Sequence, residues 1–324
     1  MCKSNLAFPP ANFEFLVYST MNHTRILWLS FFWLVVSAET KYGQSEYSSK
    51  CSAVFLIHGL TRSDLSLKYL EKRIHEFCPG VVTYNTPAFS FVDSFAPLQV
   101  QVNGLLEAFN NFSKAHSKFH LVTHSQGTLL GRALIQASVY HNVCNFISLG
   151  GIHSGQYGIP TISAELLPLG EIPVERMFTT ELLYTTNSME TLSIANFWHD
   201  PDNALYLEKN KYLPHLNNQI PSNESYSQKE ALLRLNKFVT IYGPDDGFVI
   251  PWQSGDFSFY KIINNTNVVV NYTEWDFYDT LGLRTLDETG RFIKHNITGV
   301  EHLAWVMNDN VIDNYVLPYL DYCA

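Results

Sequence analysis

The chain has 324 residues, a length that suits one large domain or two small ones. Charged residues make up 16% of the chain against a usual share of roughly a quarter, and hydrophobic residues make up 46%, which excludes intrinsic disorder and a charged coiled coil. The formal net charge is -9, which argues against a nucleic-acid partner because phosphate binding needs a basic surface.

The chain opens with a predicted secretory signal, residues 1–38. An apolar run of about 13 residues follows Arg25 and ends in Val36 and Ala38, which suit the residues before a signal cleavage site. Met21 is an alternative start, because the segment before it is unusually long and only weakly charged for a signal peptide. A membrane anchor is the other interpretation, but a spanning helix needs roughly 20 apolar residues. We therefore expect a cleaved signal and no transmembrane span.

Entry into the secretory pathway gives meaning to five Asn-x-Ser/Thr sequons in the mature region. We expect each of these asparagines to be on the surface and glycosylated. They are Asn111, Asn223, Asn264, Asn271 and Asn296.

Four cysteines remain in the mature chain, and four allow three pairings. Cys51 and Cys323 lie near the two ends of the mature chain and are therefore a candidate disulfide. Cys78 and Cys144 could equally be free buried thiols. The four do not have the close spacing that zinc needs, so we predict no metal site, and we expect no cofactor.

From residue 53 onwards, predicted strands and helices alternate. Compact apolar runs predict buried strands, and apolar residues at helical spacing predict amphipathic helices. The predicted strands are 53–57, 81–84, 119–123 and 143–149, and the predicted helices are 63–77, 95–116 and the segment after residue 127. This alternation is typical of an α/β fold with a mainly parallel sheet and helices on both faces.

The alternation breaks after the fourth strand. Residues 150–234 mix Gly, Pro and aromatic residues, which predicts an insertion on the sheet rather than an independent domain. A strand resumes at 237–242, a last strand is expected at 291–297, and a final helix is expected at 308–317. We therefore expect residues 39–324 to form a single domain.

The sharpest local motif is Thr123-His124-Ser125-Gln126-Gly127, between a predicted strand and a predicted helix. This is the setting of a nucleophile elbow, Gly-x-Ser-x-Gly, in which the serine occupies a strained turn. The residues two positions away on either side must be small, which Gly127 satisfies and the β-branched Thr123 does not. We expect Ser125 to be a nucleophile, and an ordinary helix N-cap serine is the alternative.

A serine nucleophile needs a base, and the base needs an orienting acid. In hydrolases with this elbow, the acid follows a late strand and the histidine comes last. Asp246 follows the strand 237–242 and is the preferred acid, with Asp245 as the alternative. The Pro-Asp-Asp-Gly sequence is also a good turn, which is compatible with this role. His302 lies after the last strand and is the predicted base, whereas His295 lies within that strand and is interpreted as structural.

The first strand ends in His58-Gly59-Leu60. In such hydrolases the loop after this strand supplies one oxyanion donor, and the residue after the nucleophile supplies another. The backbone N–H groups of Leu60 and Gln126 are therefore the predicted donors, and His58 is expected to order the loop.

These motifs, with several others, resemble the palmitoyl-protein thioesterases, a family of lysosomal α/β-hydrolases, and in particular their second type. The matching stretches are 54–60, 125–127, 146–150, 155–158, 196–201, 243–247, 251–253 and 279–286. Thr123 departs from the small residue expected there. Cysteines associated with the second type around the elbow and the histidine are absent, so no disulfide pairing is carried over.

The resemblance implies an α/β-hydrolase fold with Ser125 as nucleophile, Asp246 as acid and His302 as base, in agreement with their order along the chain. It also implies delivery to the lysosome, with secretion as the alternative, and an inserted region that binds a long acyl chain. Members of the second type look better suited to acyl-CoA and small S-acyl thioesters than to bulky acylated proteins.

The hypothesis is therefore a serine hydrolase that cleaves long-chain fatty acyl thioesters, such as palmitoyl-CoA or S-palmitoyl groups, through an acyl-enzyme. A lipase or carboxylesterase on oxygen esters is one alternative, and a non-catalytic lipid-binding glycoprotein is another. A palmitoyl chain needs an apolar channel, although core packing is the alternative role for any apolar residue of the insertion. The candidate channel walls are Ile159, Leu166, Leu167, Leu182, Leu183, Ile194, Phe197 and Trp198.

Overall fold

A computed structural model describes residues 50–161 and 174–323. Its central sheet is built from strands β1 (Ala53–Ile57), β2 (Thr83–Asn85), β3 (Phe119–His124), β4 (Val143–Leu149), β5 (Lys237–Tyr242) and β8 (Phe292–Asn296). The order across the sheet is β2-β1-β3-β4-β5-β8, and all neighbours are parallel. The predicted parallel α/β sheet is confirmed, and its second strand begins two residues later than expected.

Helices cover both faces of the sheet, as predicted. The long ones are α1 (Lys68–Phe77), α2 (Leu98–Ala115) and α3 (Gln126–Ala137). Alternate residues of a strand point to opposite faces. Along β1, Phe55 packs with Phe109 of α2, whereas Val54 and Leu56 join the opposite cluster with Leu70 of α1. The sheet is thus buried on both sides, which is why its strands read as continuous apolar runs.

Shorter helices fill the remaining connections. Between β4 and β5 the described helices are Val174–Met177, Thr180–Leu183, Thr186–Thr191, Ser193–Phe197, Asn203–Lys209, Leu213–Leu216 and Ser225–Leu233. After β5 they are Phe277–Thr280, Leu283–Glu288 and Asp309–Val311. The expected final helix is irregular, because the turn at Asp309–Val311 continues as a π-helical segment, Ile312–Val316.

An antiparallel hairpin that the sequence analysis missed follows β5. It consists of β6 (Phe259–Ile263) and β7 (Thr266–Val270), joined by Asn264 and Asn265. The φ angles of these two asparagines are 51° and 59°, the conformation that a two-residue type I′ turn requires. Two β-branched runs separated by Asn-Asn were a usable signal for this hairpin.

The disulfides are Cys51–Cys78 and Cys144–Cys323, so the candidate Cys51–Cys323 pair and the free buried thiols are wrong. Residues near the two ends of the described chain do meet, since Cys51 pairs with Asp321 in a short antiparallel bridge. Cys323 lies two residues beyond that bridge and is bonded to Cys144 of β4. Cys78 directly follows α1, the helix that packs against β1, and is bonded to Cys51.

The five sequon asparagines are all exposed, as expected of glycan acceptors. Among residues 50–161 and 174–323, every helix is too short or too polar to cross a membrane. The predicted signal, the alternative start at Met21 and the residues before 50 lie outside the described residues.

Candidate active site

Ser125 occupies the sharp turn between β3 and α3. Its φ of 57° is a strained value for a residue with a side chain, as the elbow predicts. The turn is held by the Ser125 N–H, which donates to the carbonyl of Leu149 at 2.9 Å, and by Thr128, whose N–H and hydroxyl both donate to the Ser125 carbonyl. The serine hydroxyl is therefore presented at the carboxyl edge of the sheet by a rigid backbone.

Two glycines allow this turn to close. A Cβ on Gly127 would lie 2.5 Å from the carbonyl oxygen of His58, a contact that backbone cannot relieve cheaply. Thr123, the residue that departs from the small-residue pattern, faces Gly131 of α3, where a Cβ would lie 2.8 Å from the Thr123 Cγ2. Because Gly131 has no side chain, the larger Thr123 side chain fits between the strand and the helix, and no small residue is needed at position 123.

Ser125, His302 and Asp246 come together from three loops at the carboxyl ends of β3, β8 and β5. The Oγ of Ser125 lies 2.8 Å from Nε2 of His302. The Nδ1 of His302 lies 2.9 Å from Oδ1 and 2.8 Å from Oδ2 of Asp246. All three side chains are buried, with exposures of 4%, 1% and 2% for Ser125, His302 and Asp246. A carboxylate that accepts from Nδ1–H leaves Nε2 as the acceptor for the serine proton.

Asp246 is held as a carboxylate by several donors besides His302. Its Oδ1 accepts from the backbone N–H groups of Phe248 at 3.1 Å and Val249 at 2.7 Å, and its Oδ2 accepts from the indole N–H of Trp305 at 2.7 Å. Burial alone would raise the pKa of Asp246, but the charge of His302 and these hydrogen bonds outweigh it. The pKa of Asp246 therefore lies below its usual value, and the group stays ionised.

The two weaker candidates from the sequence take other positions. The Oδ2 of Asp245 accepts from the N–H of Gly299 at 2.7 Å, so this exposed carboxylate ties the loop before His302. His295 lies in β8, as expected, and its Nε2 is 2.8 Å from the hydroxyl of Tyr319.

The predicted oxyanion donors lie beside the serine. Leu60 lines the same cavity as Ser125, and its N–H donates to none of the described residues. Gln126 is the first residue of α3, where helix geometry leaves the N–H without a partner inside the helix. The ring nitrogens of His58 lie 3.0 Å from the carbonyl oxygen of Gly59 and 3.1 Å from that of Ala88, so His58 orders this loop.

Three side chains at the site were not singled out from the sequence. His124 contacts the carbonyl of His302 through Nε2 at 2.9 Å, and burial, followed by the charge of His302, lowers its pKa to about 3, which keeps it neutral. The Phe248 ring stacks on the His302 ring with centroids 4.8 Å apart. Trp305 holds Asp246, as above. From the sequence alone these three residues cannot be distinguished from aromatic core residues, because their contacts with His302 and Asp246 are visible only in the three-dimensional structure.

The cavity at Ser125 has a volume of about 10 Å³, enough for about one water molecule. It is lined by Gly59, Leu60, Thr61, Arg62, His124, Ser125, Phe248, His302 and Leu303. A long acyl chain can therefore reach the serine only if side chains around the cavity move.

None of the described candidate channel walls lines this cavity. Ile159 and Leu182 are 44% and 42% exposed. Four others are buried in the core on the α2–α3 face of the sheet, namely Leu183, Ile194, Phe197 and Trp198. Leu166 and Leu167 lie outside the described residues. Acyl-chain binding by the eight residues stays a prediction.

One group of possible metal ligands occurs within the described ranges, His120 with Cys144 and Cys323. The two sulfur atoms are joined in a disulfide, so they are not available as thiolate ligands.

Comparison with known proteins places the chain in a family. A family model described as palmitoyl protein thioesterase matches residues 53–302. The lysosomal thioesterase PPT2 homolog of Drosophila melanogaster is 35% identical over 271 residues, covering 83% of this chain and 91% of that protein. Human lysosomal thioesterase PPT2 is 34% identical over 269 residues, with coverages of 82% and 87%. Palmitoyl-protein thioesterase 3 of Dictyostelium discoideum is 32% identical over 277 residues, with coverages of 82% and 88%. The chain therefore belongs to the palmitoyl protein thioesterase family and is a thioester hydrolase.

Proposed function

We propose that this enzyme hydrolyses long-chain fatty acyl thioesters, such as palmitoyl-CoA or S-palmitoyl groups, with Ser125 as nucleophile, His302 as base and Asp246 as orienting acid. The observation that carries the proposal is the continuous relay from Ser125 Oγ to His302 Nε2 and from His302 Nδ1 to Asp246, with every contact between 2.8 and 2.9 Å. The three residues follow the chain order Ser, Asp, His typical of hydrolases with this elbow.

The reaction proceeds in two halves. Ser125 Oγ attacks the thioester carbonyl while its proton passes to Nε2 of His302, and Asp246 holds the ring in the required tautomer. As the tetrahedral intermediate collapses, the C–S bond breaks and His302 returns the proton to the leaving sulfur. Water then attacks the acyl-enzyme, with His302 again accepting and returning a proton, and the fatty acid is released.

The oxyanion of each intermediate is stabilised by the backbone N–H groups of Leu60 and Gln126. Both amides lie next to the serine, and the N-terminus of α3 adds a partial positive charge at the same point. Loss of one such donor typically costs roughly 10² to 10³ in rate.

The acyl chain is proposed to bind in the region inserted between β4 and β5, with residues 39–324 acting as one domain. The cavity at Ser125 is small and is lined by residues outside this region, so side chains around the cavity must move before a chain can pass from the serine toward it. Glycosylation of the five exposed sequons and delivery to the lysosome through the secretory pathway belong to the same proposal. Two relatives named above carry the word lysosomal in their names, which supports that location.

The test is thiol release from palmitoyl-CoA by the glycosylated enzyme and by Ser125→Ala, with the exposed Ser222→Ala as a matched control. We expect release by the wild type and the control, and a loss of at least three orders of magnitude in Ser125→Ala. A fluorophosphonate should label Ser125 covalently in the first two proteins only. Comparison with the oxygen ester of the same chain separates a thioesterase from a lipase. Undiminished release by Ser125→Ala would refute the assignment.

A further inference from the structure

His124 and Ser125 are consecutive residues at the end of β3, and both contact His302. The Oγ of Ser125 lies 2.8 Å from the imidazole Nε2 of His302, and the Nε2 of His124 lies 2.9 Å from the backbone carbonyl oxygen of His302. The side chain of His124 is buried, with 2% exposure. Two neighbouring residues of the elbow therefore hold one residue of the loop after β8 at two points, its ring and its backbone.

The protonation state of His124 follows from its partner. A carbonyl oxygen only accepts hydrogen bonds, so the Nε2 of His124 must carry the ring proton. Its Nδ1 is sealed from solvent and has no hydrogen-bond partner within residues 50–161 and 174–323. Burial, followed by the charge of His302, lowers the pKa of His124 to about 3. The side chain is thus a neutral, single donor at any pH above about 4.

His302 depends on such contacts because it lies in a turn, outside the regular hydrogen bonding of a strand or helix. Its N–H donates to the carbonyl of Asp246 at 2.9 Å, which ties its backbone to the acid. Its carbonyl accepts from His124, which ties the same backbone to the elbow. Misplacement of a reacting group by about 1 Å can cost roughly 10² in rate, so the second contact acts where position matters most.

We propose that His124 is a positioning residue, which fixes the imidazole of His302 against Ser125 by holding the His302 carbonyl. This inference rests on the proposed function. In the described part of the chain, His124 makes no hydrogen bond to Ser125 Oγ or to the His302 imidazole, so its effect on rate passes through the His302 backbone. Loss of one neutral hydrogen bond corresponds to up to about tenfold in rate. The loss appears in kcat rather than KM, because it disturbs proton transfer and leaves binding of the acyl chain unchanged.

The test measures kcat and KM for palmitoyl-CoA hydrolysis by His124→Phe and His124→Gln. Phenylalanine keeps an aromatic ring and removes the donor, whereas glutamine places an amide N–H near the position of the imidazole Nε2. We expect His124→Phe to lower kcat by about tenfold with KM within twofold of the wild type. We expect His124→Gln to recover most of that loss.

His141→Phe is the matched control. His141 is also buried, with 3% exposure, and its Nε2 lies 2.8 Å from the carbonyl oxygen of Ala231. Burial lowers its pKa to about 4, so it too is a neutral donor. It precedes β4 and therefore lies at the amino edge of the sheet, opposite Ser125. We expect this control to keep the kcat of the wild type.

A spectroscopic measurement covers the case in which His124→Phe does not fold. In the wild type labelled with ¹⁵N-histidine, we expect an imidazole with a proton on Nε2 and none on Nδ1 that does not titrate between about pH 4.5 and 8. Its signals should be missing from His124→Gln, which assigns them to His124.

Four results would overturn the inference: a kcat of His124→Phe within twofold of the wild type, an equal loss in His124→Gln, the same loss in His141→Phe, or titration of the His124 ring in that pH range. Undiminished thiol release by Ser125→Ala, or none by the wild type, would instead refute the proposed function. The two failures are therefore distinguishable.

Discussion

Replacement of Trp305 by Phe tests whether the proposed relay depends on the hydrogen bond that Trp305 donates to Asp246. The indole N–H of Trp305 donates to Oδ2 of Asp246 at 2.7 Å, and the Trp305 side chain is completely buried. Phenylalanine keeps most of the ring and removes the donor. Asp246 retains the two backbone donors and His302, so we expect the fold to persist.

The magnitude follows from the charge on the acceptor. A hydrogen bond to a buried charged group contributes about 1.5–3 kcal/mol, and each 1.36 kcal/mol is a factor of ten in rate. If the lost contact weakens stabilisation of the charged His302 in the transition state, kcat falls by about 10- to 100-fold with little change in KM. Because this donor favours the charged carboxylate, its loss raises the pKa of Asp246, so protonation of this carboxyl removes activity at a higher pH than in the wild type.

The assay is the pH dependence of kcat and kcat/KM for palmitoyl-CoA hydrolysis. Trp252→Phe is the matched control, since Trp252 is a partly buried indole that stacks on Tyr242 and makes no contact with Asp246. Thermal unfolding of each variant separates a catalytic loss from a loss of fold. A kcat within twofold of the wild type, or an equal loss in the control, would refute the reasoning.

Three further predictions concern stability. Removal of the Cys144–Cys323 disulfide, which closes a loop with a sequence separation of 179, should lower the free energy of unfolding by about 5 kcal/mol. Removal of the Cys51–Cys78 disulfide, with a separation of 27, should lower it by about 3.5 kcal/mol. A smaller loss for Cys144–Cys323 than for Cys51–Cys78 in denaturant unfolding would contradict the loop-entropy argument. Gly131→Ala should destabilise the protein by about 1–3 kcal/mol despite the better helix propensity of alanine, because the added Cβ contacts Thr123. The second substitution Thr123→Ser removes the contacting methyl group and should recover part of that loss. Strictly additive free-energy changes in the double variant would disprove the contact. The pKa of His124 is about 3 when folded and near 6.5 when unfolded, so the unfolded state binds more protons between these values and folding stability falls as pH drops below about 6.5. At pH 5 this histidine should cost about 2 kcal/mol relative to pH 7, and His124→Asn should show a correspondingly smaller fall in denaturant unfolding.

The residues of the proposed relay were predictable because their signals are local. Ser125 lies between a strand and a helix, and Asp246 and His302 each follow a strand, so parallel packing alone brings the three to one edge of the sheet. The same reasoning could not choose Asp246 over Asp245 with certainty, since both lie in one turn. The choice depends on which carboxylate faces His302, and that is decided by the path of the chain after β5.

The hairpin β6–β7 and the disulfides illustrate two kinds of failure. The hairpin had a local signal at Asn264 and Asn265 that went unused. The disulfides had none, because the pairing of Cys323 with Cys144 depends on where the last residues of the chain cross the sheet. Short loops and turns carry their own sequence rules, whereas contacts across a large sequence separation do not.

The sequence by itself determined the α/β alternation, the order of the relay residues and the membership in a thioesterase family, since each depends on periodicity or on short motifs along the chain. Tertiary structure alone decided which glycine makes room for Thr123, which donors hold Asp246 and which side chains line the cavity at Ser125. These features are distances between residues far apart in sequence, and only the packed sheet and its helices bring such residues together.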